Sequence, residues 1–352
     1  MSSLPNPPVS IRNDSMDCFK LIASLAVVLI HIPFPGRVGA LFTAVGSIAV
    51  PVFFAITGYF NYGASRDSVA RRLKSIGKLY LFAFVATAAL GAVSTGLTGG
   101  NVLKFLRDFC LFGREELFQI LLLHYDPRNL QLWYLLALMF CYGVLLVYLD
   151  FQGGPQAGYR PLYALGCIQF LLFAAFGMLA QPAHWEPPEV LYRSGYFYGG
   201  AFFTLGVFLR EYQERILDNF RLTPRKLTVL LAIGLALCCL QATSIGGGRL
   251  SLGGLLAVLS LMLLMIRCPQ VPKTLRGRAA CLGRLSVYIY ILHMALIRFY
   301  DSVLKAPLTA GLGLPADAES WLAPWIVILL SLLCAVLCDL VRQGSRRPRP
   351  VG

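Results

Sequence analysis

Residues 17–36, "DCFKLIASLAVVLIHIPFPG", form an apolar stretch with a charged side chain near one end and a titratable ring near the other. The residues between Lys20 and His31 are all apolar or small. Eleven steps of about 100° come within roughly 20° of three full helical turns, so the two side chains lie on one stripe of a helix, about 16 Å apart along its axis. The stretch therefore predicts a membrane-spanning helix with one polar stripe.

The composition extends this prediction to the whole chain. The protein has 352 residues, of which 57% are hydrophobic and 14% are charged, whereas a soluble domain carries about 25% charged residues. We therefore predict an all-α, polytopic membrane bundle of about ten transmembrane helices. The predicted spans lie at roughly residues 16–34, 41–62, 78–97, 131–149, 161–180, 196–212, 227–243, 251–266, 283–300 and 322–341.

The charge distribution predicts the topology. The chain has a net charge of +14, with 31 Lys and Arg against 17 Asp and Glu. The odd-numbered connections between spans hold equal numbers of cations and acids, so the whole positive surplus lies with the termini and the even-numbered connections. The positive-inside rule then places both termini in the cytoplasm. The basic balance therefore reports topology and contact with anionic membrane lipids, and we expect no nucleic-acid partner.

One membrane domain accounts for most of the chain. We predict a cytoplasmic N-terminal segment over residues 1–15, the membrane domain over 16–341, and a basic cytoplasmic tail over 342–352. The N-terminal segment has no apolar core or cleavage site typical of a signal peptide. The ten cysteines show no paired metal-binding spacing, so neither a metal site nor a disulfide framework is expected.

The connection over residues 98–130 is longer than its neighbours. It contains the short apolar pieces "VLKFLRDFCLF" and "LFQILLLHY", which are too short to cross a bilayer. We expect interfacial or re-entrant helices that roof a cavity at the side opposite the termini.

His31 is the first candidate catalytic residue. A lone histidine near a membrane interface often only satisfies a backbone carbonyl, and a lysine such as Lys20 at a helix end can extend to lipid headgroups. However, polar groups inside a span are costly and usually face a protein interior or a water-filled cavity. A cation at the cytoplasmic rim with an imidazole deeper on the same stripe favours a long ligand that enters from the cytoplasm with its anionic head near Lys20.

A second signal is the basic segment "VARRLKSIGKLYLF", which opens the third span and carries Arg71, Arg72, Lys74 and Lys78. These cations serve either as an orientation signal with lipid contacts or as ligands for phosphates. In the preceding span, "GSIAVPVFFAITGYF" carries Pro51, which kinks a helix, and Gly58, which permits a close approach of another helix.

Two further spans carry polar aromatic residues. "NLQLWYLLAL" places Trp133 and Tyr134 at an outer interface, as in an aromatic belt. "SVYIYILHMALI" places Tyr290 and His293 three residues apart, on one face of the ninth span. The tyrosine–histidine pair is either a hydrogen-bonded core contact or part of a site.

The order of these motifs resembles the acyltransferase 3 family of integral membrane acyltransferases, over residues 14–341. The matching motifs are the lysine and histidine of the first span, "VPVFFAITGYF", "RRLKSIGKLY", "LWYLLAL" and "YIYILH". Lys20 replaces the arginine of the family motif, as in a branch similar to the WecH-like acetyltransferases and the membrane part of VanT-type serine racemases. Gln131 stands where many relatives carry a histidine, which puts an acid–base role at that position in doubt.

The resemblance implies acyl transfer from a cytoplasmic acyl-CoA, usually acetyl-CoA, with no permanently bound cofactor. The acceptor is often a sugar hydroxyl; a glycan, a lipid-linked sugar, an amine or a small molecule remain open. It implies that His31 is catalytic and that Arg71, Arg72 and Lys74 hold the CoA phosphates, near Lys20. For the acceptor or the oxyanion we consider a group of polar and aromatic residues: Tyr59, Gln131, Trp133, Tyr134, Tyr290 and His293. The expected location is the inner membrane of a bacterium.

Two other functions fit the same residues. In a secondary transporter or flippase, His31 would relay protons and the basic segment would recognise an anionic substrate. No acidic residue falls in the middle of a predicted span, which disfavours this reading. A membrane sensor or assembly partner with a decayed site is the third possibility.

Overall fold

The computed structural model describes residues 12–152, 158–175, 193–244, 251–311 and 313–344. Within these ranges the chain is helical and contains no strand. The α-helices are α1 (Asp14–His31), α2 (Gly36–Gly46), α3 (Ala49–Tyr59), α4 (Arg66–Leu97), α5 (Val102–Cys110), α6 (Arg114–Leu123), α7 (Trp133–Phe151), α8 (Arg160–Phe173), α9 (Gly200–Asn219), α10 (Pro224–Ser244), α11 (Leu252–Arg267), α12 (Lys273–Arg276), α13 (Ala279–Phe299) and α14 (Ala316–Gly344).

Within the described ranges, six segments are long and apolar enough to cross a membrane. They are Gly36–Tyr59, Arg66–Leu97, Leu130–Phe151, Pro224–Thr243, Ala279–Gly311 and Ala316–Gly344. The all-α membrane class is therefore confirmed. Helices overlap all ten predicted stretches, but the number of ten spans and the cytoplasmic termini stay predictions. Residues 1–11, 176–180 and 345–352, which belong to the predicted N-terminal segment, fifth span and tail, lie outside the described residues.

Successive long helices run in opposite directions, which brings alternate connections to the same end of the bundle. Arg284 in the second turn of α13 forms a two-pronged ion pair with Asp339 near the end of α14, at 2.9 and 3.1 Å. Asn13, which caps α1, donates to the carbonyl of Met265 near the end of α11 at 2.8 Å. These contacts lie at the end of the bundle that holds Lys20. We call it the Lys20 end and the opposite one the far end.

Pro51 explains the interruption between α2 and α3. Proline has no backbone N–H to donate, so it fits the first turn of a helix, where that N–H has no partner within the helix. Pro51 occupies this first turn of α3, and the regular helix is interrupted at Ser47 and Ile48, whose backbone angles stay in the right-handed helical region. The structure thus shows an interruption just before the proline, and the kink itself stays a prediction.

Gly58 lets α3 pack backbone to backbone against α9. A Cβ atom at Gly58 would lie 1.8 Å from the carbonyl oxygen of Phe203, and one at Gly206 would lie 1.9 Å from the carbonyl oxygen of Ala55. Any side chain at either position forces the two helices apart. The predicted close approach at Gly58 is confirmed.

Gly58→Ala is therefore expected to destabilise the protein by about 3 kcal/mol, the upper end of the usual cost of overpacking. Gly143→Ala is the matched control, since a Cβ there meets no atom within 4 Å and alanine is the better helix former. The measurement is thermal unfolding of both variants in the same detergent. Equal melting temperatures for the two variants would contradict the packing argument.

Candidate active site

The structure brings together the two histidines that the sequence placed on separate helices. α1 packs along α13, and the ring centroids of His31 and His293 lie 5.2 Å apart with 36° between the ring planes. His31 ends α1 and keeps its side chain exposed, whereas His293 is completely buried. The pair therefore has one accessible ring and one enclosed ring.

The hydrogen bonds of His293 fix its tautomer. Its Nδ1 lies 2.6 Å from the carbonyl oxygen of Tyr290, and a carbonyl oxygen only accepts, so the proton is on Nδ1. In the neutral ring Nε2 then carries a lone pair, and it has no hydrogen-bond partner among the described residues. A buried polar atom without a partner is costly, which is typical of a position that meets a ligand or a transient partner.

Gln131 and two tyrosines lie beside the pair. Gln131 donates from Nε2 to the carbonyl of Ile291 at 3.2 Å, and its backbone carbonyl accepts from the Tyr290 hydroxyl at 3.1 Å. The Tyr290 ring contacts the rings of His293 and Tyr134, at 5.8 and 5.2 Å between centroids. The Oε1 atom of Gln131 is a further buried acceptor with no partner within the described ranges.

A cavity of about 200 Å³ leads from the Lys20 end towards this cluster. Lys20 and Gly283 line it at the Lys20 end, and Tyr134, Tyr290 and Ile291 line it deeper in the bundle. Most of the remaining lining side chains are apolar. The cavity reaches Tyr290, one helical turn before His293.

Lys20 lies at the mouth of this cavity, and its ammonium group interacts with neighbouring side chains. Its Nζ lies 3.1 Å from Oδ1 of Asp17, and the ammonium group lies 5.8 Å from the centre of the Phe60 ring. Asp17 rests against α13 because position 283 is a glycine: a Cβ there would lie 2.9 Å from Oδ1. Lys20 therefore faces the protein interior instead of extending to lipid.

The basic segment at the start of α4 divides into two kinds of side chain. Arg72 donates to the carbonyl of Phe60 at 2.8 Å and to Oδ1 of Asn61 at 2.6 Å. It thereby satisfies a carbonyl at the end of α3 that has no partner within the helix. Arg71 and Lys74 are exposed. Arg72 thus holds α4 against α3, while Arg71 and Lys74 present their charges outward.

Two of the predicted site residues lie away from the histidine pair. Tyr59 is at the Lys20 end, where its hydroxyl donates to Oε1 of Gln213 at 2.7 Å and accepts from Arg210 at 2.8 Å. Trp133 packs on the Phe54 and Tyr198 rings, at 6.2 and 5.9 Å between centroids. Neither side chain forms a hydrogen bond or ring contact with His31 or His293 within the described residues.

The far end is covered by the two short helices that the sequence predicted over residues 98–130, α5 and α6. Arg128 ties this roof together through an ion pair of 2.8 Å with Glu116, which lowers the pKa of that carboxyl group. Burial lowers the pKa of His124 to about 4, so its ring is neutral at pH 7 and its Nδ1 accepts from the N–H of Gly195 at 3.1 Å. The depth of the roof in the membrane stays a prediction.

Sequence reasoning missed two contributors to the site. Phe53 packs edge-on against Tyr290, at 5.9 Å between ring centroids, and lines the cavity. Arg193 places a positive charge within electrostatic reach of His31. The only sequence signal for Arg193 was its place among the far-side cations, because it belongs to a connection between spans and carries no motif.

Comparison with known proteins identifies the family of the chain. Neither the curated proteins nor the solved structures contain a match to the chain. A family model described as "Acyltransferase domain" (Acyl_transf_3) matches residues 13–341. This match does not distinguish the predicted WecH-like or VanT-like branch. It covers nearly the whole chain, and the protein therefore belongs to the Acyl_transf_3 family of acyltransferases.

Proposed function

We propose that the protein moves an acyl group, with acetyl as the first candidate, from cytoplasmic acyl-CoA to a hydroxyl or amine of a sugar or glycan. The observation that carries this proposal is the His31–His293 pair, 5.2 Å between ring centroids, just beyond the inner end of a cavity that begins at Lys20. Membership of an acyltransferase family supports the reaction class. The donor, the acceptor and the inner membrane of a bacterium as location belong to the proposal.

The Lys20 end suits the donor. CoA is a polyanion with a long, narrow pantetheine arm that ends in the thioester. Lys20 at the cavity mouth and the exposed Arg71 and Lys74 supply cations for its phosphates. The cavity of about 200 Å³ with mostly apolar walls suits the arm, while the nucleotide stays outside. The thioester would then approach the histidines past Tyr290.

The reaction requires a base that takes the proton from the acceptor and later returns it to the leaving thiolate. Neutral His31 takes the proton of the acceptor hydroxyl as the oxygen attacks the thioester carbonyl, and the tetrahedral oxyanion forms. Its collapse breaks the C–S bond, and the CoA thiolate takes the proton back from the His31 imidazolium. In the alternative route the imidazole itself attacks the thioester, releases CoA, and passes the acyl group to the acceptor in a second step.

Release of CoA thiol tests the proposal. Purified protein in bilayer discs is supplied with acetyl-CoA and a panel of sugars, and free thiol is followed with a chromogenic reagent. We expect thiol release that increases when the right acceptor is present. Uptake of a sugar or anion into sealed vesicles without any thiol release would instead establish the transporter, and the absence of both activities would favour a sensor with a decayed site.

Arg71→Gln and Lys74→Gln are each expected to raise the KM for acetyl-CoA about two- to fivefold at low ionic strength, the usual size of one exposed charge contact. Screening shortens the reach of such charges, so the effect is expected to shrink at high salt. Lys226→Gln, an exposed cation at the start of α10, is the matched control. An unchanged KM at low salt would exclude these two side chains from the donor site.

A further inference from the structure

A second cavity lies at the far end of the bundle, under the roof formed by α5. It has a volume of about 140 Å³, and its lining includes Thr87 and Ser94 of α4, Phe105 of α5 and Arg298 of α13. The roof fits closely because position 91 on α4 is a glycine: a Cβ there would lie 2.3 Å from the Phe105 ring. The result is a small covered pocket with hydroxyl groups and a guanidinium in its wall.

Arg298 has no direct partner in this pocket. It is half-buried, and within the described residues it donates no hydrogen bond and forms no ion pair within 4 Å. Asp126 is a carboxylate within electrostatic reach of its guanidinium. Both carboxylate oxygens of Asp126 are already occupied, because Oδ2 accepts from Tyr80 and Asn129 at 3.1 and 3.2 Å and Oδ1 accepts from the backbone N–H of Arg128 at 2.9 Å.

A half-buried guanidinium without an acceptor is an unusual arrangement. Arg284 in the same helix shows the usual arrangement, since its guanidinium donates two hydrogen bonds to the carboxylate of Asp339. The five donors of a guanidinium match the two oxygens of a carboxylate or phosphate. An anionic group in the far-end pocket would therefore satisfy donors that the protein leaves open.

The far-end pocket and the donor cavity lie along the same two helices. On α13, Val287 and Ile291 line the donor cavity, and Ala295 and Arg298 line the far-end pocket. The spacing of four, four and three residues keeps them on one face of the helix. Ile76 and Thr87 of α4 likewise line the two cavities in turn. The two cavities therefore follow the same helix faces, the donor cavity towards the Lys20 end and the far-end pocket towards the opposite end.

We propose that the far-end pocket binds an anionic group, a carboxylate or a phosphate, carried by the acyl acceptor, with Arg298 as its counter-ion. This inference rests on the proposed function. It narrows the acceptor class from sugars in general to acidic or phosphorylated sugars. A phosphate of a lipid headgroup has the same chemistry, and the experiment has to separate the two sources.

The experiment measures binding without donor, in discs of zwitterionic phosphatidylcholine. Glucuronate and glucose 1-phosphate are compared with neutral glucose as probes. At least one anionic probe is expected to bind wild type about tenfold or more tightly than glucose, the size of a charge-assisted hydrogen bond. Arg298→Gln should abolish the difference and Arg298→Lys should restore part of it. Lys104→Gln, an exposed cation on the roof helix α5, should keep it.

Each other outcome has a definite meaning. Equal binding of glucose and both anionic probes, or full retention of the difference in Arg298→Gln, overturns the inference. Co-purification of phosphatidylglycerol that depends on Arg298, with no preference for either anionic probe, assigns the pocket to a lipid headgroup and also overturns it. Thiol release is measured separately. If Arg298→Gln leaves turnover unchanged with every sugar, the role of the pocket is refuted and the proposed acyltransferase activity stands. If binding depends on Arg298 but no turnover occurs, the acyltransferase activity is refuted and the anion-binding pocket stands.

Discussion

His31→Gln is expected to lower the rate constant for acyl transfer by about 10²–10⁴, the usual contribution of a general base. Glutamine fills most of the volume of the ring but cannot take up the proton of the acceptor. The KM for acyl-CoA should stay nearly unchanged, because His31 lies about 16 Å along α1 from Lys20 and its donor-binding end. A loss confined to kcat is therefore the expected signature.

The measurement is steady-state thiol release in bilayer discs, with folding checked by thermal unfolding. His124→Asn is the matched control. His124 ends α6 with a positive φ of 55°, a conformation that asparagine tolerates, and an asparagine oxygen can still accept from the Gly195 N–H. Unchanged kcat in a folded His31→Gln protein would remove His31 from the catalytic step, and a rise in KM alone would make it a binding residue.

The helical fold could be predicted from the sequence because a membrane permits few backbone structures. Backbone groups inside a bilayer must be paired within the segment, so a long apolar stretch becomes a helix. α1 (Asp14–His31) therefore forms a helix over most of the predicted span of residues 16–34. It is not one of the six segments named above, so its crossing of the membrane stays a prediction. Once that helix is given, its period alone puts Lys20 and His31 on one stripe.

The contact between the two histidines could not be predicted from the sequence in the same way. The spacing of Tyr290 and His293 is local, and the sequence showed that they share a face of α13. That this face meets the end of α1 depends on how two distant helices pack, and neither helix contains a local signal for its partner. Sequence reasoning therefore identified both residues without predicting the pair.

For Tyr59 and Arg72, in contrast, a physical rule could have predicted the observed position from the sequence. Tyr59 ends a helix antiparallel to α1, so it shares an end of the bundle with Lys20 and lies away from His31. Arg72 follows that same helix end, whose last carbonyls have no partner within the helix and attract a cation. The motif suggested a phosphate ligand, and in the structure one nitrogen of Arg72 donates to the Phe60 carbonyl and to Asn61. A contact of Arg72 with a phosphate stays a prediction.

His293→Asn is expected to lower kcat about tenfold or more, roughly the cost of losing one hydrogen bond to a buried or charged partner. Asparagine keeps an N–H that can donate to the Tyr290 carbonyl, as Nδ1 of the histidine does at 2.6 Å. What it loses is the basic Nε2, the atom without a partner in the described structure. The substitution thus tests the second nitrogen of the ring while the packing of α13 is kept.

The decisive comparison is the double variant His31→Gln with His293→Asn. If Nε2 of His293 acts only by orienting His31 or sharing its proton, the two residues work as a unit, and the double variant should be about as slow as His31→Gln alone. Independent roles would multiply the two losses. The pH–rate profile gives a second readout. A coupled pair titrates together, so His293→Asn should move the acidic limb of the kcat profile. If His293 is merely structural, its replacement should lower the rate equally at every pH.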